Sequence, residues 1–567
     1  MAKAEYSVAE LVAMIKNESL RLPEMQREYV WQSTRVRDLL DSLYRGYPSG
    51  VILTWQTSVP VALNEFAVPT EGKTVGKPML LLDGQQRLTS LSAVLRGEHI
   101  SVRGRKRPID ILFNLNHPDE VSLITEVYEN DEENDEIDDT DEINDADEHD
   151  VQRRMRLRTF VVASKALAAM PNWVSVTEVM KTPSDKTFLE KAGITGFDHP
   201  DYEKYTRRLS RLRAIKDYVY RVDVLEDTMS YEEVTEIFVR VNSLGAKLRS
   251  SDLALAQITA RWPGSLSQFQ TFQRECAYDG YDLDLGSHLR MMVAILTHQS
   301  KFATVGSLSR ESLEEGWKKA QKALRYAINF ARANADIENV ALLASPLALV
   351  VLGYWAEKRS YKPPEEEAAQ MRRWLLTANA KGRWSRGSSE TILNEDLATL
   401  RDGGGVAQLF DRLQTQVGRL DIQPDDLDGR TARSALFKTM YLAFKKDGAK
   451  DWQSQINISI RSTGAHDRLQ FHHIFPKAYL QRNAPHLRSG QVDDISNLAF
   501  IGGSTNREIA DRDPAVYLPP LVVAEGDPLG RQQVPKDPEL FTHERYLEFL
   551  GLRRQLIADR LNRFLQS

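Results

Sequence analysis

Over the first 250 residues, short and nearly continuous apolar runs alternate with amphipathic stretches; beyond that point the pattern changes to long helical periodicities. Val51-Ile52-Leu53-Thr54-Trp55 and Pro78-Met79-Leu80-Leu81-Leu82 predict strands, the second buried on both faces. Tyr218 to Val224 alternates with the period of a strand. Leu88, Leu91 and Leu95 predict a helix ending at Gly97, a short amphipathic helix precedes Leu22, and Arg37 and Asp38 lie on another that ends near Gly46-Tyr47-Pro48. Ser230 and Glu233 form a capping box for a helix whose Ile237, Phe238 and Val241 share one face; Gly245 supplies the backbone freedom for the reversal after Asn242.

Residues 251–418 read as a bundle of helices, Leu253 to Trp262, Leu313 to Ala333, Pro346 to Lys358 and Pro364 to Asn379, with no repeat of fixed period. Lys381-Gly382-Arg383-Trp384-Ser385-Arg386 joins two of them and is expected to be a structural loop, the alternative being contact with nucleic acid by stacking and charge. After the Gly403-Gly404-Gly405 break or Pro424 come a helix from Ala432 to Phe444 and an amphipathic helix from Glu544 to Phe564. Between these lies Phe471 to Ala510, where His472-His473 closes one apolar run, Asn497 opens a second, and Asn506 heads a short helix capped by Ser504. That is a compact strand-strand-helix pattern able to hold one metal ion.

A chain of 567 residues is too long for one core and suggests roughly three domains. The single cysteine, Cys276, excludes a disulfide framework and a four-cysteine zinc site, and is expected to pack as a small hydrophobe. With no signal segment and no apolar run of membrane-spanning length, a cytoplasmic protein is expected. Residues 129–150 hold 14 acidic side chains and no Lys or Arg, so the rest of the chain carries +8 although the whole carries −6. The acidic stretch is expected to be a solvated insertion, with masking of a basic surface such as Arg153 to Arg158 as the sharper alternative.

His473 is a candidate general base, because an imidazole titrates near neutral pH; His472 and Asn506 are candidate ligands for a divalent ion, and Asn497 for fixing the loop through backbone bonds. In the N-terminal part, Asp83-Gly84-Gln85-Gln86-Arg87 forms a tight turn between strand and helix. There the helix N-terminus and Arg87 can face phosphate, Asp83 can hold a metal or orient a water, and Gln85 or Gln86 can position it. The plainer alternative has Asp83 capping the helix and Arg87 pairing with a surface carboxylate. Arg240 or Asn242 reaches the same pocket or only ends its helix. Arg207, Arg208, Arg211, Arg213 and Lys216 lie on a helix that either tracks a DNA backbone or is a solvated face. There is no Walker loop.

His472-His473, Asn497 and Asn506 resemble the HNH, or His-Me finger, nucleases, except that the first ligand in that superfamily is often aspartate. Gln26-Arg27 with Tyr29 and Trp31, Asp83 to Arg87, and Ile237 to Leu248 with Asp252 resemble the N-terminal half of the GmrSD family of modification-dependent restriction enzymes, to which the phosphorothioate-sensing SspE proteins are related. The resemblance implies an α+β multidomain chain: a ParB/sulfiredoxin-like nucleotide-binding domain at 1–250, a central helical domain at 251–418, and an HNH nuclease domain at 419–567. It implies nucleotide binding by Gln26, Arg27, Asp83, Gly84, Gln85, Gln86, Arg87 and Asn242, and DNA contact by Tyr29, Trp31, Arg207 and Arg211. It implies cleavage of modified double-stranded DNA in anti-phage defence, using Mg or Mn and GTP, UTP or ATP, with a homodimer left open. The competing readings are a non-enzymatic ParB-like DNA-binding regulator and an RNA-cleaving toxin.

Overall fold

The computed structural model describes residues 2–23, 31, 33–56, 63–64, 79–98, 108–118, 158–244, 250–462 and 464–566. Gln26, Arg27, Tyr29, the acidic stretch 129–150 and the side chain of Asn242 lie outside the described residues. The chain divides into two compact units, Met1–Leu266 and Ser267–Ser567.

In the first unit, the described strands are β1 (Ala2–Ser7), β2 (Leu20–Pro23), β3 (Ile52–Gln56), β4 (Leu63–Asn64), β5 (Met79–Asp83), β6 (Ile111–Asn114), β7 (Phe160–Val162), β8 (Trp173–Ser175) and β9 (Val219–Leu225). They form a mixed six-stranded sheet in the order β1-β9-β3-β5-β2-β4 and a separate three-stranded sheet, β7-β6-β8. β3 pairs antiparallel with β5 and parallel with β9, so the two apolar runs read from the sequence lie side by side at the sheet centre. Helix α1 (Val8–Lys16) buries Val8, Leu11, Val12 and Ile15 and is closed by a Ser7/Glu10 capping box. Helix α2 (Ser33–Arg45) buries Val36, Leu39, Leu40 and Leu43, the spacing of one helix face.

Helix α3 (Gln85–Leu95) leaves β5 through Gly84, at φ 102°. A Cβ there would stand 2.4 Å from Ile52 Cδ1, so the turn requires glycine for both its conformation and its space. Apart from Arg87, Gln85 through Val94 are buried, which makes α3 a core helix with its N-terminus at the C-terminal end of β5. The capping box of helix Tyr231–Leu244 forms as the spacing predicts, with Ser230 N donating to Glu233 Oε2 at 2.8 Å and Glu233 N to Ser230 Oγ at 3.2 Å.

The second unit is mostly helical. Helices Leu285–Thr297, Arg310–Ala335 and Leu347–Lys358 pack on one another, with Ala320, Ala323, Ala327 and Ala331 buried along the longest. Helix Leu347–Lys358 comes close to the backbone of Arg310–Ala335 at Gly353, where a Cβ would lie 3.0 Å from Ala323 O. Cys276 is buried, and burial pushes its thiol up to about 11, so it packs as a protonated side chain.

The Lys381–Arg386 loop departs from one of its two readings. Trp384 is 5 % exposed and meets Trp374 edge-on at 6.0 Å, so it offers no face for a base to stack on. Arg383 is fully buried in a bidentate ion pair with Asp396. Arg383 and Trp384 at the loop's centre are structural, while Lys381, Gly382, Ser385 and Arg386 on either side line a cavity.

Helices Ala435–Lys446 and Tyr546–Gln566 pack together and support the strand pair β10 (Leu469–His473) and β11 (Leu498–Gly502). Phe437 stacks on Phe500 with ring centroids 4.8 Å apart. Arg553, wholly buried on the second of these helices, donates to the carbonyls of Ser496 at 2.7 Å, Gln532 at 3.1 Å and Gln533 at 3.2 Å.

Candidate active site

β10 and β11 pair antiparallel, with His472 opposite Ala499 and His473 opposite Leu498, and helix Gly503–Ile509 follows β11 without a break. Successive side chains of a strand face opposite sides, so the tandem histidines part company. His472 points inward and is 3 % exposed; His473 points toward the surface.

His472 Nδ1 lies 2.8 Å from Asn506 Oδ1, and its Nε2 lies 3.3 Å from the Tyr517 hydroxyl. That hydroxyl spends its single proton on the carbonyl of Ile474, 2.5 Å away, and so presents a lone pair to His472. With Nε2 carrying the ring proton, the Nδ1 lone pair faces the Asn506 carboxamide, which meets it through its N–H in the metal-free ring and can turn its oxygen to a cation. Burial pushes the imidazole down to about 4, which keeps it neutral near pH 7. A ring nitrogen with a lone pair beside a carboxamide, with the outer ring nitrogen held by a hydrogen bond, is donor chemistry that a divalent cation can use.

Among the described residues, no group of three or more His, Cys, Asp and Glu side chains is placed to hold a metal. The His472–Asn506 pair instead suits an ion that keeps several waters and completes its shell with substrate phosphate oxygens, as Mg²⁺ does. The imidazole donor extends that fit toward Mn²⁺ and softer divalent ions.

On the other side of the strand, His473 Nε2 is 3.1 Å from Asp493 Oδ1, which also takes Lys477 Nζ at 2.9 Å. The His473 contact and the Lys477 ammonium hold the Asp493 carboxyl well below the usual carboxylate range. A carboxylate only accepts, so Nε2 bears the proton and Nδ1 of His473 is left with a lone pair. Asn497 is fully buried and ties the intervening loop: Oδ1 accepts from Phe475 N at 2.8 Å, and Nδ2 donates to Phe475 O at 3.1 Å and Val492 O at 3.0 Å.

Ser504 is not the cap of the Asn506 helix; the N-cap is Gly502, and Ser504 already lies in the first turn, exposed. Asp451 does the equivalent work from a distant stretch, accepting from Gly502 N at 2.6 Å and Thr505 Oγ1 at 2.7 Å. Asp493, Lys477 and Asp451 were absent from the residues singled out in the sequence. Asp493 follows no apolar periodicity; it lies in the 474–496 connection that returns the chain from His473 to Asn497.

In the first unit, Arg87 Nη1 donates to Ser49 O at 2.5 Å, and Nη2 to Val51 O at 2.9 Å and Asp83 Oδ2 at 3.0 Å. Gln86 Oε1 accepts from Trp31 N at 3.1 Å, which brings the Trp31 segment to the α3 turn. On helix Tyr202–Arg213, Arg211 donates to Tyr44 O at 2.9 Å and stands over the Tyr44 ring at 4.7 Å, Arg208 is buried against Leu115 O, and Arg213 pairs with Asp185. Arg207 is exposed. The basic run on this helix is thus largely fastened into the fold, with Arg207 facing solvent.

The strand-turn-helix around Asp83 to Arg87 and the mixed sheet that carries it coincide with a region of known kinship. Residues 8–259 match the GmrSD restriction endonuclease N-terminal domain. The match supports a restriction endonuclease, an enzyme whose substrate is DNA, and takes in the three-stranded sheet and all of the six-stranded sheet except β1. Similarity to the uncharacterized protein MJ0686 of Methanocaldococcus jannaschii, 20% identical over 607 residues, covers 99% of this chain and 96% of that protein, and so runs through both units. No helix among the described residues is long and apolar enough to cross a membrane.

Proposed function

We propose that this chain is a metal-dependent DNA endonuclease of the HNH type, cutting modified DNA at the site built by His472, His473 and Asn506. The observation that carries the reading is the pairing of two fixed imidazoles on one strand: His472 with its lone pair toward Asn506, and His473 held by Asp493. His473 Nδ1 takes a proton from the attacking water, while Asp493 keeps the ring in the competent tautomer. Asn497 holds the loop that sets the two histidines apart from the β11 side. A divalent ion bound by His472 and Asn506 would supply charge stabilisation for the phosphate and the leaving oxygen.

The first unit, as a ParB/sulfiredoxin-like module, would bind and hydrolyse a nucleoside triphosphate at the Asp83–Arg87 turn and sense the modification, thereby gating cleavage. The family match over residues 8–259 supports this half of the reading. The test is a digestion panel of RNA and of unmodified, methylated, glucosylated and phosphorothioate DNA, with and without each triphosphate and with Mg²⁺ or Mn²⁺. Cleavage of a modified substrate that disappears in His473→Ala, with triphosphate turnover retained, is the expected result. Persistent nicking by His473→Ala would defeat the assignment of the base, and cleavage of RNA alone would make the protein a ribonuclease.

A further inference from the structure

A cavity of about 440 Å³ opens where the Lys381–Arg386 loop meets the start of helix Ala435–Lys446, and an adjoining one of about 350 Å³ shares Lys381, Arg386 and Asp426 with it. Together they are walled by Lys381, Arg386, Arg419, Arg430 and Arg433, against the single carboxylate of Asp426. Asp426 is already engaged: Arg419 lies 2.9 Å from it and Lys381 3.5 Å. Arg386 and Arg433 are exposed and make no ion pair or side-chain hydrogen bond among the described residues. Five cations around a concave space, two of them uncommitted, form a receptor for a polyanion.

The kind of anion follows from what the walls lack. No aromatic side chain lines either cavity, and Trp384, the one aromatic in the adjacent loop, is packed away against Trp374. A nucleotide base would find no face to stack on, whereas phosphate groups need only guanidinium and ammonium donors.

The cavity wall is also joined directly to the candidate active site. Arg430 O accepts from Ile495 N at 2.8 Å, Gly429 N donates to Asp494 Oδ2 at 2.8 Å, and Arg554 bridges Asp428 and Asp494 at 2.6 Å each. Asp494 follows Asp493, the residue that holds His473.

We propose that this arginine-lined cavity binds the sugar-phosphate backbone of DNA, as a positioning site of the second unit. The proposal rests on the endonuclease reading for its choice of DNA, but its readout is binding, not cleavage. In the full chain, without divalent ion, the affinity for a DNA duplex is measured over a salt series for the native protein, for Arg386→Gln/Arg433→Gln, and for the charge-matched Arg274→Gln/Arg310→Gln. Because both cavity arginines are exposed and unpaired, the double variant should keep the native thermal midpoint. Its log-affinity against log-salt slope should fall by about two, with at least a tenfold loss of affinity at low salt, while the control keeps the native slope.

An unchanged slope in the cavity variant, or an equal fall in the control, overturns the proposal. So does a variant that loses affinity for inorganic phosphate or a free triphosphate while holding DNA as tightly as before. A native protein that binds with the predicted slope but cuts nothing refutes the nuclease reading and leaves the cavity assignment standing; loss of cutting in His473→Ala with a slope indifferent to Arg386 and Arg433 does the reverse.

Discussion

Asp493 Oδ1 stands 3.1 Å from Nε2 of His473, with Lys477 Nζ on the same oxygen at 2.9 Å. Replacing Asp493 by Asn removes the obligate acceptor and lets the ring take either tautomer. The cleavage rate should fall on the order of 10²-fold, while DNA affinity and the metal requirement stay at native values. Single-turnover cleavage alongside binding in the absence of metal separates the two; a parallel loss of DNA affinity would show that the carboxylate supports the loop and not the base.

Tyr517→Phe keeps the packing around His472 but leaves its Nε2–H without an acceptor, since the Tyr517 hydroxyl is what fixes that proton. The divalent-ion concentration for half-maximal cleavage should rise about 10- to 100-fold, with the maximal rate recovered at saturation. Titration of Mn²⁺ against the cleavage rate reads this directly, and an unchanged midpoint would place the ion elsewhere.

His472 makes an acid-labile element of the strand pair. Its ring is held down to about 4, against about 6.5 for an unburied histidine, so between those values the unfolded chain binds the extra proton and stability rises with pH. The difference corresponds to about 3 kcal/mol, present in full above pH 6.5 and withdrawn progressively down to pH 4. Thermal unfolding at pH 7 and pH 4.5 should show a larger acid-induced loss in the native chain than in His472→Asn; equal losses would remove His472 as the cause.

Arg87 fastens Ser49 O and Val51 O, ahead of β3, to the turn before α3. Arg87→Ala leaves both carbonyls without that donor and should cost about 2–3 kcal/mol, lowering the thermal midpoint of the first unit by several degrees. Triphosphate turnover of that variant is therefore read well below its lowered midpoint, where a loss with the first unit still folded indicates nucleotide contact.

Gly84→Ala must place a methyl 2.4 Å from Ile52 Cδ1 at a φ of 102°. A destabilisation of roughly 1–3 kcal/mol is expected, read as a lower midpoint of the same transition. A neutral result would show that the β5–α3 turn relaxes without strain.

The parts of this molecule that the sequence makes legible are those set by local pattern. The apolar run at 78–82 followed by Gly84 announces β5, its turn and α3, and the Ser230/Glu233 spacing announces a helix start, because strand burial and capping depend on near neighbours. His472, Asn497 and Asn506 could be placed on one hairpin and helix for the same reason. Contacts made across long separations were not legible. Asp451, not Ser504, secures the start of the Asn506 helix, and Tyr517 settles the tautomer of His472, through bonds that span 51 and 45 positions. Arg208, Arg211 and Arg213 look like a basic stripe on paper, yet each is spent on a carbonyl, a ring or a carboxylate of another segment.

Arg553 couples the candidate site to the order in which the chain is made. Its guanidinium reaches back to Ser496 from helix Tyr546–Gln566, so the strand pair is synthesised well before its clamp exists. A nascent polypeptide would hold His472, His473, Asn497 and Asn506 and still lack the guanidinium that braces the Ser496 carbonyl beside them.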